Sequence, residues 1–270
     1  MDKMYHIQAT DETIAPYVLL PGDPHRVPLV AAKWDTADKI AENREHVTYT
    51  GTYKGMPITC TSTGMGCPST AIAIEELARC GAKTLIRMGT GAAIQPNIES
   101  GDIMIIDSAY RADGTTKMYV PEGFPAVAHH EIVEAMIQTA KDKKIPYHVG
   151  TSYCRDGLYT NRPNKYTSFG GYHPHSWDTF LEDLQQTKTI TMEMESSAVL
   201  VLTRLFGLRG GVVLVNVVNF TKTDTKEKTA NFAKDADYSA DNVDKLCTIA
   251  NEMMYQVYLN DRNNSNNTRT

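Results

Sequence analysis

The chain has 270 residues, of which 41% are hydrophobic and 22% charged, and its formal net charge is −5. That length is enough to bury a full core in one large unit. The acidic balance excludes a protein that coats nucleic acid or an anionic membrane through bulk electrostatics, so neither is expected as a partner. No run approaches the roughly 18 apolar residues of a membrane span. The stretch from Met1 to Thr10 has no apolar signal core, and Cys60, Cys67, Cys80, Cys154 and Cys247 form no CxxC pair or metal-ligand spacing. A cytoplasmic protein with reduced thiols is therefore expected.

In chain order, a strand predicted at 17–20 leads into Leu20-Pro21-Gly22-Asp23-Pro24-His25-Arg26. Gly22 frees the backbone to approach an anion and Arg26 can add charge. Alone, the segment also reads as an ordinary turn. A strand predicted at 57–62 runs into Ser62-Thr63-Gly64-Met65-Gly66-Cys67-Pro68-Ser69, and Pro68 suits the first turn of a helix over 68–80. Exposed N–H groups at that helix start would hold an anion; a tight strand-to-helix connection is the plain alternative. The strand over 83–88 continues into Arg87-Met88-Gly89-Thr90-Gly91. A charged Arg87 near the end of a buried strand is costly unless an acid or a ligand pairs with it. The glycines lack the third member and the following acidic residue of a dinucleotide fingerprint.

Strands are predicted next at 102–108 and 146–153, and helices at 130–143 and 177–186. A strand over 189–194 becomes a helix over 196–206 through Met192-Glu193-Met194-Glu195-Ser196. Carboxylates two apart on a strand point the same way, so one can face a ligand while the other meets a cation; an acidic helix cap is the alternative. The run 211–219 is almost wholly apolar, as befits a strand buried on both faces. A last helix over 239–259 shows apolar residues at 3–4 spacing from Val243 to Val257, and the tail over 261–270 is expected to be disordered. His129-His130 and His173-Pro174-His175 lack a third ligand, so no metal is expected there. Strands alternating with helices imply an α/β sheet covered on both faces, with ligands at the carboxyl ends of its strands.

Taken together, Pro21-Gly22-Asp23-Pro24-x-Arg26, Arg44-Glu45, Ser62-Thr63-Gly64-Met65-Gly66-x-Pro68-Ser69, Arg87-x-Gly89-Thr90 and Glu193-Met194-Glu195-Ser196 resemble the nucleoside phosphorylase-I family in order and spacing, over nearly the whole chain. Tyr5-His6, Ile94-Gln95-Pro96, Phe124-Pro125-Ala126-Val127-Ala128 and the segment after Tyr159 resemble its uridine phosphorylase branch. The resemblance implies a single-domain three-layer α/β/α fold with a mixed central β-sheet over residues 1–260. It implies phosphate-dependent cleavage of a nucleoside, most simply uridine, to free base and ribose 1-phosphate, with no cofactor beyond inorganic phosphate as co-substrate.

By the same resemblance, Gly22, Arg26, Arg87 and Thr90 would bind phosphate, with Arg44 reaching in from a neighbouring subunit. Glu195, Glu193 and Met194 would hold the ribose, with His6 of an adjacent subunit closing its 5′ end. Arg87 and Glu195 would carry the catalysis. Leu158, Val217 and Val218 would wall the base, with Arg162 and Lys165 as candidate base-reading groups. Glu45 and Ser69 would coordinate a monovalent cation such as potassium at a dimer interface. Self-association into a dimer or a hexamer (a trimer of dimers) follows from the shared sites.

The chain departs from this pattern at the base end. The Gln-x-Arg pair that reads uracil in that branch is missing, Phe220 stands where an arginine is usual, and Gly91-Ala92-Ala93 replaces a threonine-glycine-alanine run. Asn219 stands where purine-cleaving members place an aspartate, which disfavours purine chemistry. Purine or broad specificity, a water-using nucleosidase and a non-catalytic nucleoside-binding module stay open as alternatives.

Overall fold

A computed structural model describes residues 2–161, 168–222 and 236–267, the last three through their backbone alone. Its ten strands are β1 (Tyr17–Pro21), β2 (Thr36–Asn43), β3 (His46–Tyr53), β4 (Met56–Thr61), β5 (Thr84–Ala93), β6 (Ile103–Ala112), β7 (Ala126–Val127), β8 (Tyr147–Arg155), β9 (Thr191–Glu193) and β10 (Arg209–Asn219). The helices are α1 (Arg26–Ala31), α2 (Cys67–Arg79), α3 (Thr115–Tyr119), α4 (His130–Asp142), α5 (Phe180–Gln186), α6 (Ser196–Leu205) and α7 (Ala240–Asn267).

All ten strands belong to one mixed sheet. β1 lies between β4 and β5, and β5 pairs with β10 along its whole length, all four in parallel. β10 then pairs antiparallel with β6, β6 parallel with β8, and β8 parallel with β9. β9 returns antiparallel to the end of β5, at Ala92 and Ala93. This half of the sheet therefore closes on itself, while β4, β3 and β2 extend from it as an open wing.

The two faces are separated by the period-2 alternation of the strands. Val18, Leu20, Leu85, Val212 and Leu214 pack with Ile74 and Leu77 of α2 and Val199 and Leu202 of α6. Leu19, Ile86, Met88, Val213 and Val215 pack with Val30 of α1, Ile132 and Met136 of α4, and Leu246 and Met253 of α7. Helices thus cover both faces in three layers, as expected. Arg87 falls on the α2/α6 face with Leu85, so its charge is directed toward the N-termini of those helices.

Several elements differ from the sequence reading. The hairpin β2–β3 was not predicted, because β2 forms the exposed edge and has no apolar period to reveal it. β5 and β6 run four to five residues further than the apolar pattern indicates, because β10, β9 and β8 continue to supply backbone partners past Gly89 and Gly91. The tail is a correction: α7 continues to Asn267. Asp261, where disorder was expected to begin, accepts hydrogen bonds from Arg209 at 2.7 and 2.5 Å and from the Tyr17 hydroxyl at 2.7 Å. Among the described residues no helix is long and apolar enough to cross a membrane.

Candidate active site

The carboxyl ends of β1, β5, β9 and β10 and the loop before α2 surround one cavity of about 500 Å³. Gly22, Arg26, Arg87, Thr90, Glu193, Met194, Glu195, Leu158 and Val217 all line it. Nine residues drawn from segments far apart in the chain are thus brought to one place.

Arg87 stands at its centre and is 4% exposed. Its Nε lies 3.2 Å from Glu193 Oε2 and its Nη2 2.5 Å from Glu195 Oε2. Gly89 permits this geometry, because a Cβ there would fall 2.8 Å from Arg87 Nη2. Burial alone would lower the Arg87 pKa, but the two carboxylates more than offset it and hold the group above its ordinary value. The third nitrogen, Nη1, is buried and has no hydrogen-bond partner. It lies on the side of Gly22, where an added Cβ would sit 3.7 Å away. A buried guanidinium with one unsatisfied nitrogen calls for a further anion.

Arg26 supplies the second cation. It is 9% exposed, and its side chain has no hydrogen-bond or ion-pair partner among the described residues. Burial lowers its pKa; Asp23 opposes that shift and the neighbouring Arg87 charge adds to it. Two like charges are therefore held within electrostatic reach of each other at the cavity wall, an arrangement that an oxyanion between them would relieve. Thr90 adds a hydroxyl to the same wall.

The two acids divide the work. Glu193 ends β9 and accepts from the backbone N–H groups of Glu195 (2.8 Å) and Ser196 (2.9 Å), from the Ser196 hydroxyl and from Arg87. It therefore caps α6 while fixing the Arg87 plane, and its oxygens are occupied. Glu195 accepts from the Gly66 N–H at 2.6 Å and from Arg87. The anion expected at the start of α2 is thus this carboxylate from the same chain, and Gly66 presents its N–H from a backbone with φ +89° that glycine readily adopts. Burial raises the Glu195 pKa, the Arg87 charge partly offsets this, and Glu193 adds to it.

The opposite end of the cavity is walled by the apolar side chains of Leu158, Val217 and Phe220, with Arg155 beside Leu158. Val217 sits where the pairing register of β10 against β5 shifts between Asn216 and Val218. Both valines pack in the core, but Val217 lines the cavity and Val218 does not, so of the two expected walls Val217 alone is one. Asn219 also faces away: its Nδ2 donates to the carbonyls of Gln95 and Ile98, and its Oδ1 accepts from Thr221. The carboxylates that line the cavity among the described residues, Asp23, Glu45, Glu193 and Glu195, belong to the anion end and the middle. Arg162 and Lys165 lie outside the described residues.

Two expected contributors stand outside this chain's own cavity. Arg44 is exposed at the β2–β3 turn with φ +53°. His6 is held by Glu76 of α2, with Nδ1 2.7 Å from Oε1, and its carbonyl accepts from Asn43 at 2.8 Å. Asn43 thus places His6 beside the Arg44 turn on one outer edge. Glu45, the next residue of that turn, faces inward and accepts from Ser69 Oγ at 2.8 Å.

The model of the family described as the phosphorylase superfamily matches residues 16–253. The chain belongs to the phosphorylase superfamily. It is 44% identical over 228 residues to a uridine phosphorylase of Thermococcus kodakarensis, covering 83% of this chain and 82% of the relative. A guanosine phosphorylase of Halorubrum lacusprofundi is 32% identical over 240 residues, covering 87% and 93%. The crystal structure of uridine phosphorylase from Vibrio fischeri superposes with a TM-score of 0.80 at 29% identity, covering 95% of this chain and 98% of that one.

In this superfamily member the cavity also contains residues to which sequence reasoning gave no role: Arg155, Met65 and Tyr238. Arg155 follows the run Tyr153-Cys154 at a strand end, where, as with Arg87, a buried charge is costly unless something pairs with it. Tyr238 had no such signal; it reaches the site because the Asp237 N–H returns to the Val217 carbonyl at 2.7 Å. His173 Nε2 meets Asp178 Oδ1 at 2.8 Å and the His129 ring stacks on His130, while Nδ1 of each of His173 and His129 is buried without a hydrogen-bond partner among the described residues.

Proposed function

We propose that this protein cleaves a pyrimidine nucleoside, uridine foremost, by phosphorolysis, releasing the base and ribose 1-phosphate. One observation carries the reading: Arg87 Nη1, buried and without a partner, faces the same cavity as Arg26, one ion pair away from Glu195. A phosphate dianion on Arg26, Arg87, Thr90 and the Gly22 backbone would be desolvated and held as a nucleophile beside the sugar, which removes much of the entropic barrier. One of its oxygens forms a bond to the anomeric carbon as the carbon–nitrogen bond breaks, and that electron pair leaves on the base. Positive charge grows on the ribosyl centre in between, and the ionised Glu195 stabilises it while accepting from the ribose hydroxyls. Met194 packs on the sugar, and Glu193 acts indirectly by keeping Arg87 and α6 in place.

The apolar walls Leu158, Val217 and Phe220 favour a base that needs no carboxylic acid to protonate it as it leaves, which supports a pyrimidine over a purine. Arg162 and Lys165 belong to the same proposal as groups that read the base. The placement of His6 and Arg44 on one outer edge supports a shared site, in which a second copy contributes both residues within a dimer or a trimer of dimers. Glu45, Ser69 and the Thr63 carbonyl form an oxygen-only set that fits a hard monovalent cation such as potassium, the rest of whose shell would come from the partner. We place the activity in the cytoplasm, in keeping with five buried free thiols.

The test is a cleavage assay of uridine, thymidine, deoxyuridine, inosine and adenosine, each with and without inorganic phosphate. Uridine cleavage that requires phosphate is expected, with the purine nucleosides cleaved more slowly. A rate indifferent to phosphate would instead identify a nucleosidase.

A further inference from the structure

Arg155 is 4% exposed and lines the cavity at its base end, yet the phosphate and ribose chemistry makes no use of it. It is the last residue of β8, paired in register with Ala112 of β6, so its backbone is fixed by the sheet where the chain turns away. Its Nη2 donates to the Leu158 carbonyl at 3.1 Å and its Nη1 to the Thr160 carbonyl. Two nitrogens of one rigid plane therefore grip carbonyls two residues apart in the loop that carries the Leu158 wall. The far end of that loop is tied back as well, since Asn161 Nδ2 donates to the Tyr153 hydroxyl at 3.1 Å. Leu158 belongs to none of the apolar cores among the described residues. These polar ties therefore set its position.

We infer that Arg155 is the positioning residue of the base subsite: by clamping the 158–160 loop it sets the distance of the Leu158 wall and hence which base is accepted. The inference rests on the phosphorolysis reading, within which it names the determinant of base selectivity. The guanidinium is required as a fork. Lysine would keep the charge but, as a point donor, would not span both carbonyls; methionine would keep the bulk and lose both bonds.

The experiment measures kcat and KM for uridine, inosine and phosphate in the wild-type protein and in Arg155→Met and Arg155→Lys. Arg155→Met should raise the uridine KM about tenfold, as the loss of two charge-assisted hydrogen bonds implies. It should narrow the uridine-to-inosine ratio of kcat/KM several-fold and leave the phosphate KM within about twofold. Arg155→Lys should fall between the two. Unaltered uridine KM and selectivity in Arg155→Met would overturn this role while leaving phosphorolysis intact. So would parallel rises in the phosphate and uridine KM with a lowered Tm, which mark a general structural loss. A wild-type protein inert towards every nucleoside would overturn both readings together.

Discussion

Arg87 and Glu195 form a buried ion pair, 2.5 Å between Nη2 and Oε2, that joins the anion end of the cavity to its middle. The pair is not closed: Glu195 also takes the Gly66 N–H, and Arg87 retains Nη1 toward Gly22. A dianion at Nη1 and a sugar at Glu195 would therefore polarise the same two side chains. Binding of one substrate would then be felt at the other through a single guanidinium.

Replacing Arg87 removes the anion contact and leaves Glu193 and Glu195 buried without their cation. Arg87→Met is expected to abolish saturation by phosphate and to destabilise the fold by about 3–5 kcal/mol, the range for breaking one side of a buried pair. Arg87→Lys keeps one charge without the three-way fork, so it should retain more stability and still raise the phosphate KM by about tenfold or more. Phosphate titration of initial rates, together with urea denaturation, separates the two effects. An Arg87→Lys protein with wild-type phosphate KM would place the anion elsewhere.

Glu195 should govern the acid side of the pH profile. Burial holds its pKa above the ordinary carboxylate value, Arg87 opposing and Glu193 reinforcing the shift. Protonation therefore begins at higher pH than in the unfolded chain, and kcat/KM should fall at a pH above the usual carboxylate range. At this residue the folded state binds the proton more readily, so acidification through that range lowers activity without lowering stability. Glu195→Gln should remove this limb and reduce kcat/KM about 10²–10³-fold, as loss of one preorganised transition-state contact does. A Gln variant that keeps the acid limb would assign it to another group.

How far this site was legible in the sequence varies residue by residue. Arg87, Glu193 and Glu195 were legible because a charge in an apolar strand, or two acids at a strand-to-helix switch, is costly unless something nearby answers it. The strands β1, β5 and β10 were legible as elements from their short, largely apolar runs. Val217 and Val218 were both expected as walls, because the one-residue irregularity in β10 beside them is invisible in composition. The β2–β3 hairpin left no periodic trace, since its edge strand buries little. The end of α7 was misread because a polar tail looks the same whether or not a distant arginine holds it.

Glu76 gives a second view of the neighbouring-site proposal. Its carboxylate accepts from the backbone N–H groups of His6 (3.0 Å) and Ile7 (2.8 Å) and meets the His6 ring. Burial would raise its pKa, but these bonds prevail and hold it below the ordinary value. Glu76→Ala should release the N-terminal segment, cost about 1–3 kcal/mol, and raise the nucleoside KM while sparing the phosphate KM. If His6 serves a second copy's ribose site, His6→Ala should reproduce that KM pattern with little loss of stability. Equal phosphate and nucleoside effects in His6→Ala would argue against the 5′-end role.

The C-terminal extension of α7 offers a test of stability alone. Asp261 joins Arg209 and Tyr17 at the end of the sheet away from the cavity, and Arg209 also reaches Thr84 at 2.8 Å and Glu131 at 3.1 Å. Deleting residues 261–270 would leave Arg209 with its weaker partners and expose the Tyr17 hydroxyl. The expected cost is about 1–3 kcal/mol, a fall in Tm of several degrees for a chain of this size, with kcat/KM unchanged. The pH dependence has a definite sign. Burial would raise the Asp261 pKa, but the bonds from Arg209 and Tyr17 lower it below 3.8. Its contribution is therefore complete above the pKa of the unfolded chain and is lost as pH falls through the lower folded value. The full chain should be more stable than the truncated one at neutral pH, and the two should converge only in strong acid. Equal Tm values at pH 7 would mean that the tail contributes nothing and that Arg209 is satisfied without it.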